Sequence, residues 1–352
     1  MKPGSVIFLI VSVLVIIAGL VLCTIGVNVA QEQNIALFST DVSVVDGDVI
    51  RSDVLDDTAI NKVKMTLDDV DIYIRRSETG EAYLELRNFQ VGTYDYSVQN
   101  KMLLVDNETS IFSLMRIAEG NFNFSGLRHY LTYKTSDNTQ KELYLYLTEN
   151  AAVNAFDITC TRGNVTVEDL SLVTDYNISL RAGDITLHTV TTKSTLNIAT
   201  DLGIITLNDV TCRHGNITIG RGAADLFIRG IPMEMTVQVA DGDIECGYAV
   251  TSEYGLEFIL DAPGTVAYNG NEQTDRPYTF SNSPGTCPQM FRTENGSVNC
   301  GINATGVSGR FAGLSETLAE EAALIDFDAE TEESTAETSD TDPSDTGTDT
   351  AA

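Results

Sequence analysis

The chain has 352 residues, with 51 acidic against 21 basic side chains and a formal net charge of −30. This balance excludes nucleic acid as a partner, because a phosphate backbone binds to a basic surface. It also excludes electrostatic attraction to an anionic membrane surface. The length allows two or three domains and a sizeable core.

The first predicted element is a membrane anchor over residues 1–31. No charged residue occurs from Pro3 to Gln31, and Val6–Val29 is almost wholly apolar. About 20 apolar residues span a bilayer core of about 30 Å, so this run predicts a retained transmembrane helix after a short cytoplasmic stub. A cleaved signal peptide is the alternative. Because Lys2 precedes the helix, the positive-inside rule places the N-terminus in the cytoplasm and the rest of the chain outside.

A juxtamembrane segment (32–62) leads into a predicted β-strand-repeat domain (63–312). A glycine recurs every 19 or 20 residues, at Gly163, Gly183, Gly203, Gly222 and Gly242. Apolar residues recur five positions before each glycine and two and four positions after it, with polar residues between them. This period of two is typical of β-strands with one buried face. The same columns extend, less regularly, to Gly264 and Gly296.

A strand, a glycine turn and a second strand in each 20-residue repeat predict an all-β, β-solenoid-like fold. One coil cannot bury its apolar side alone, so stacked coils build a continuous core. An antiparallel β-sandwich is the alternative, since its strands also alternate with turns at short intervals. The fixed glycine column and the fixed inward columns favour the solenoid.

Several runs of the repeat resemble a bacterial family of β-strand-repeat domains of unknown function. They are Glu142–Leu147, Phe156–Ile158, Gly163–Val167 and Gly183–Leu187. The resemblance covers roughly residues 60–305. The family is labelled "putative adhesin" and is often borne on a membrane-anchored chain. The resemblance therefore implies surface display and binding, and it carries no catalytic residues to this chain.

Two C-terminal segments follow the repeat. Apolar residues at near-helical spacing predict a helix within residues 313–327 that caps the last coil, with Ser315 as its N-cap. Residues 328–352 contain acidic and small polar residues and no base, so we expect a disordered acidic tail.

The cysteines divide between the core and one candidate bridge. Cys160 and Cys246 occupy inward columns, where cysteine behaves as a small core residue. They lie several coils apart, and a disulfide requires Cα atoms within about 7 Å. Cys287 and Cys300 are the only pair for which the sequence suggests a disulfide.

Two clusters of polar residues are candidates for chemistry. Asp241, Asp243 and Glu245 offer oxygen ligands that suit Ca²⁺. A stacked column precedes the inward isoleucines and valine, and its members are Asp157, Asn177, Asn197 and Asn216. Such a column resembles the acid rows of carbohydrate-active solenoids, but exchange of amide hydrogen bonds between coils is the favoured interpretation. No cofactor is expected.

These observations predict a non-catalytic, externally displayed β-repeat module at the cell membrane. Its partners would be the bilayer, through the N-terminal helix, and an envelope protein or glycan. A membrane-associated regulatory or envelope-stress sensing partner is the alternative. A carbohydrate-active enzyme, for which Asp184 or Asp243 would be essential, is the third hypothesis.

Overall fold

The computed structural model describes residues 49–52, 54–89, 94–106, 117–118, 121–122, 140–253, 255–282 and 287–325. The predicted anchor (1–31) and the predicted acidic tail (328–352) lie outside these residues. Within the described part of the chain, no helix is long and apolar enough to cross a bilayer.

The structure is built almost wholly of β-strands. The first thirteen are β1 (Val49–Arg51), β2 (Lys62–Leu67), β3 (Val70–Arg76), β4 (Tyr83–Arg87), β5 (Asp95–Gln99), β6 (Met102–Asp106), β7 (Ile117–Ala118), β8 (Asn121–Phe122), β9 (Lys141–Leu147), β10 (Ala155–Arg162), β11 (Val165–Glu168), β12 (Asp175–Ala182) and β13 (Ile185–His188). The next nine are β14 (Thr195–Val210), β15 (His214–Ile228), β16 (Glu234–Tyr248), β17 (Leu256–Asp261), β18 (Val266–Tyr268), β19 (Asn271–Glu272), β20 (Tyr278–Ser281), β21 (Cys287–Asn295) and β22 (Val298–Ile302). One helix follows, α1 (Leu314–Ala322).

Twenty of these strands stack into two layers that meet at the glycine corner, whereas β7 and β8 pair only with each other. The first layer has the order β5–β6–β2–β10–β12–β14–β15–β16–β21–β17–β20. The second has the order β1–β4–β9–β3–β11–β13–β14–β15–β16–β22–β18–β19. The long strands β14, β15 and β16 turn the corner and contribute to both layers.

Successive repeats pair in parallel and in register. Ile158 pairs with Ile178, and Val167 pairs with Leu187. All four side chains are at most 2 % exposed and lie in one continuous core. This pairing is that of stacked solenoid coils, whereas the sandwich alternative requires antiparallel neighbours. The predicted alternation of inward and outward residues is therefore confirmed in these coils.

The order of the terminal coils differs from the order of the sequence. The coil that contains Gly296 (β21 and β22) lies between the Gly242 coil (β16) and the Gly264 coil (β17 and β18). After the Gly242 coil, the chain therefore leaves one coil position empty and forms the next coil with β17 and β18. It turns back through β19 and β20 and then fills the empty position with β21 and β22. At the other end, β6 and β9 likewise lie outside β2 and β3. Antiparallel strands form the outermost edge of each layer at both ends.

Residues 303–325, here called the C-terminal strap, run back along the side of the stack. The buried Asp225 carboxylate accepts hydrogen bonds from the backbone N–H groups of Ser308 (2.9 Å) and Gly309 (2.8 Å). Arg310 forms an ion pair with Asp243 at 3.2 Å. The carbonyl of Ile325 accepts a hydrogen bond from the guanidinium group of Arg162, near the N-terminal end of the stack.

Helix α1 lies within the predicted span, but its predicted position over the last coil is wrong. It packs against the glycine corner of the middle coils, where Leu318 and Ala322 share one buried apolar cluster with Phe311, Ala182, Leu202, Ile204 and Ala223. The final coil already has antiparallel strands at its edge, whereas the corner presents an apolar patch that needs cover. Ser315 is not the N-cap: Gly313 holds that position without a side-chain hydrogen bond, and the Ser315 hydroxyl donates to Asp184.

Candidate interaction surface

Three neighbouring strands carry aromatic and cationic side chains on the outer side of the second layer. The order β4–β9–β3 places Tyr83 beside Tyr146 and Tyr144 beside Tyr73. The intervening residues, such as Leu84, point into the core and are fully buried, so alternation along each strand places the tyrosines on its other side. Tyr73, Tyr83 and Tyr146 are partly exposed there, whereas Tyr144 is only 8 % exposed. We call the set the Tyr–Arg surface; its members are Tyr73, Arg75, Tyr83, Arg87, Tyr144 and Tyr146.

The tyrosine rings of this surface stack across the strands. Ring centroids are 4.5 Å apart for Tyr73 and Tyr144, and 4.4 Å apart for Tyr83 and Tyr146. Tyr144 and Tyr146 continue the stack along β9, with centroids 6.1 Å apart. Cross-strand aromatic pairs contribute roughly 0.2–1 kcal/mol each to a sheet. The stack therefore stabilises the sheet and also fixes the shape of its outer side.

Two arginines lie over the tyrosine rings. The Arg87 guanidinium is 4.3 Å from the centroid of Tyr144, and that of Arg75 is 5.2 Å from the centroid of Tyr73. Arg87 also forms an ion pair with Glu85 at 2.6 Å, and Arg75 forms one with Glu168 at 2.8 Å. These contacts hold both guanidinium groups against the sheet, which lowers the entropy that they lose when a partner binds.

Three phenols of this surface, those of Tyr73, Tyr144 and Tyr146, are unsuited to proton transfer at neutral pH. Burial, together with a hydrogen bond from its hydroxyl to Glu142 (3.0 Å), raises the pKa of Tyr144 to about 12. Burial also raises the pKa of Tyr73 and of Tyr146. An efficient general acid or base has a pKa near the working pH, so these groups serve as neutral hydrogen-bonding partners instead.

The Tyr–Arg surface ends where the regular repeats begin. In the same outward column, Tyr73 is followed by Thr166, Thr186 and Thr206 in successive coils. These threonines are too small to form a comparable aromatic surface. The sequence contains a signal, because Tyr144 and Tyr146 alternate with buried leucines in β9, but only the strand pairing brings them beside Tyr73 and Tyr83.

The three calcium candidates occupy consecutive outward positions around the Gly242 corner, and each contacts a hydrogen-bond donor. Asp241 accepts from the side-chain amide of Asn295 at 2.8 Å. Asp243 accepts from the backbone N–H of Ser297 at 2.8 Å. Glu245 accepts from the side-chain amide of Asn299 at 2.5 Å. Among the residues that the structure describes, no group of three or more His, Cys, Asp or Glu side chains is placed to hold a metal ion.

Glu245 also lines a cleft of about 650 Å³ between the second layer and the C-terminal strap. Burial raises the pKa of this carboxyl group above its ordinary value. Arg310, which belongs to the strap, lies 3.8 Å from Glu245 and 3.2 Å from Asp243. Glu245 and the neighbouring Asp243 therefore both face a cation of the chain itself.

The stacked Asp/Asn column exchanges hydrogen bonds between coils, as the favoured interpretation expects. The side-chain amide of Asn177 donates to Asp157 at 2.8 Å, and that of Asn197 donates to Asn177 at 2.9 Å. Asp184, a residue that the enzyme hypothesis requires, accepts from the backbone N–H of Ile204 at 2.7 Å. These polar side chains therefore hold adjacent coils together.

The structure does not bring the predicted cysteine pair together. Cys287 begins β21 in the first layer and pairs with Leu256, whereas Cys300 lies in the second layer and pairs with Cys246. In the structure, no disulfide joins any two of the five described cysteines. The interleaved order of the terminal coils, which the sequence does not reveal, creates the Cys246–Cys300 contact.

Parallel coils, a glycine corner and a non-polar interior define an all-β repeat protein whose polar columns connect one coil to the next. This architecture agrees with the comparison of sequences. The chain belongs to the Toastrack DUF4097 family, which matches residues 60–299. No curated protein matches the chain.

Solved structures resemble the chain weakly. A "putative cell adhesion protein" from Clostridium sporogenes is 13 % identical, covers 73 % of this chain and 99 % of its own, and gives a TM-score of 0.33. A "putative adhesin" from Bacteroides fragilis is 16 % identical, with coverage of 73 % and 96 % and a TM-score of 0.34. A "putative lipid binding protein" from Parabacteroides distasonis is 10 % identical, with coverage of 73 % and 97 % and a TM-score of 0.26.

Proposed function

We propose that this protein is a membrane-anchored, externally displayed and non-catalytic module that binds a protein or glycan at the cell envelope. The observation that carries the proposal is the Tyr–Arg surface. Tyrosine and arginine are enriched among the residues that dominate binding energy at protein interfaces. A tyrosine offers both an apolar ring and a hydroxyl group, and it loses little side-chain entropy when it binds.

The position of the surface also supports this function. Strand β1, the first described strand, pairs with β4, which carries Tyr83 and Arg87. The chain that arrives from the proposed anchor therefore joins the second layer next to the Tyr–Arg surface. A partner bound there would lie at the same end of the stack as the membrane.

The test uses the tagged full chain in cells, with cross-linking and co-purification from the envelope. We expect the double variant Tyr73→Ala/Arg87→Ala to lose its cross-linked partner, because it removes one ring and one guanidinium from the surface. The matched control, Thr186→Ala/His188→Ala, changes the outer side of the same layer in another coil and should retain the partner. Equal melting temperatures and circular dichroism would show that both variants fold.

The outcomes distinguish the hypotheses. If both variants retain the partner equally, the Tyr–Arg surface is not the interface. Competition by purified envelope glycans indicates a glycan partner, whereas resistance to them indicates a protein. Deletion of residues 1–31 should leave binding in solution intact if the protein is a displayed module. The orientation is tested separately: protease added to intact cells should cleave the full chain if its β-repeat domain is displayed outside.

A further inference from the structure

Two cysteines face each other across adjacent coils at the C-terminal end of the stack. Cys246 of β16 and Cys300 of β22 are paired in register, and their exposed fractions are 3 % and 1 %. In the preceding coils, the same inward column holds branched aliphatic side chains. These are Ile74, Val167, Leu187, Leu207 and Leu226. Cysteine therefore replaces the larger residue in two consecutive coils.

The spacing of these two positions suits a covalent bridge. Neighbouring parallel strands lie about 4.8 Å apart, and a disulfide joins Cα atoms that are about 4.4–6.8 Å apart. Both side chains also lie in the same buried core, with exposed fractions of 3 % and 1 %. Cys160, by contrast, has Leu67 and Leu180 as its register partners.

We propose that Cys246 and Cys300 form an intramolecular disulfide in the displayed protein. The proposal rests on the proposed external display, because disulfides persist in oxidising compartments. Each thiol loses one proton and one electron as the S–S bond forms. The oxidant is a small-molecule or protein disulfide, whose own S–S bond accepts the two electrons and is reduced to two thiols.

The exchange belongs to the folding stage. Burial raises the pKa of the Cys246 thiol, and the thiolate is the reactive form. Once the coils have closed, both sulfur atoms are shielded from solvent. The bridge therefore forms while β22 docks against β16, before the two sulfur atoms are enclosed.

The position of the bridge gives it a structural role. Between Cys246 and Cys300 the chain leaves β16, forms the outer coil of β17 and β18, and returns to insert β21 and β22. A bond between the two cysteines closes this excursion into a loop. It restricts the unfolded chain and holds β22 in register at the point where the stacking order departs from the sequence.

The first experiment refolds the purified full chain from denaturant in a mixture of oxidised and reduced glutathione. Remaining thiols are alkylated under denaturing conditions, and the peptides are mapped by mass spectrometry. We expect a linked Cys246–Cys300 peptide, lighter by about 2 Da than the two reduced peptides because two hydrogen atoms are lost. Cys160, Cys212 and Cys287 should be alkylated. Free Cys246 and Cys300, or a link to Cys287, would overturn the proposal.

Two variants separate the bridge from the loss of a buried side chain. Cys300→Ser should lose the linked peptide, and reduction should no longer lower its melting temperature. Cys160→Ser removes another buried thiol but should retain the link and the reduction-dependent shift. If Cys300→Ser fails to fold, Cys246→Ala is measured by the same peptide map and melting experiment. A reduction-dependent shift in both the wild type and the folded Cys246 or Cys300 variant contradicts the bridge.

The second experiment takes protein from the envelope of cells whose free thiols are blocked before lysis. A linked peptide supports the proposal in the displayed protein, and free cysteines both in cells and after refolding overturn it. If the bridge forms on refolding but is absent from cells, external display is the part that fails. Loss of partner binding in the Tyr–Arg variants is measured separately, so it does not depend on this result.

Discussion

At the scale of single residues, the glycine corner is set by contact between coils. A Cβ on Gly222 would lie 1.8 Å from the carbonyl oxygen of Gly203, and one on Gly242 would lie 1.6 Å from that of Gly222. Both glycines also have φ in the left-handed region, at 148° and 144°. The column begins at Val70, whose carbonyl oxygen would meet a Cβ on Gly163. The repeated glycine is therefore required by the close approach of one coil to the next.

We expect Gly203→Ala to destabilise the protein by about 3 kcal/mol, at the upper end of typical overpacking costs. An added Cβ would lie 2.0 Å from the backbone oxygen of Gly183, which cannot move without shifting a whole coil. Gly313→Ala is the control, because no atom lies within 4 Å of its Cβ position and its φ is −80°. Urea unfolding measures both variants. Equal unfolding midpoints would contradict the role given to the corner.

At the scale of elements, the polar columns beside the glycines explain where the C-terminal strap docks. The position before each glycine is polar at Arg162 and Arg221 but apolar at Ala182 and Leu202. Among the regular repeats, the position after each glycine is apolar only at Ile204 and Ala223. These four residues form one patch on the side of the stack. The C-terminal strap covers this patch with Phe311 and with Leu318 and Ala322 of helix α1.

We expect Leu318→Ala to loosen the strap without unfolding the solenoid. Leu318 is 4 % exposed, and its truncation should lower the opening free energy of α1 by about 2 kcal/mol. Amide hydrogen exchange in α1 should then be roughly 30-fold faster. Leu324→Ala is the control, because Leu324 is 87 % exposed. Unchanged exchange in Leu318→Ala, or equal acceleration in both variants, would show that the helix does not depend on this contact.

The sequence predicts which residues of a strand point inward and where the helix lies, but it does not predict which strands are neighbours. The period of two fixed which residues point inward, and near-helical spacing located α1. The order of the last coils was not predictable, because Gly264 and Gly296 fit the same column and either coil satisfies the packing next to Gly242. The Tyr–Arg surface was missed for a related reason: β4 and β9 are far apart in the sequence and meet only through pairing.

At the scale of the whole molecule, both ends of the described chain lie near the same end of the stack. The strap carries the chain from β22 back along the stack to Arg162, and β1 lies at the same end in the second layer. The described chain therefore enters and leaves near one end, while β17–β20 form the other. If the proposed anchor precedes β1, Ile325 lies on the membrane side and β17–β20 are distal.

Net charge gives the last prediction. Even if every one of the 21 bases paired with one of the 51 acids, the remaining negative charge would oppose compaction. Exposed ion pairs contribute about 0–1 kcal/mol each, so their weakening by salt is the smaller effect. Raising the ionic strength from about 0.01 M to about 0.15 M shortens the screening length from about 30 Å to about 8 Å. We therefore expect the melting temperature to rise with sodium chloride.

Removal of residues 326–352, which contain ten acids and no base, should reduce this rise. A melting temperature that falls with salt would mean that ion pairs outweigh repulsion, and an equal rise in the truncated chain would place the repulsion within the β-repeat domain.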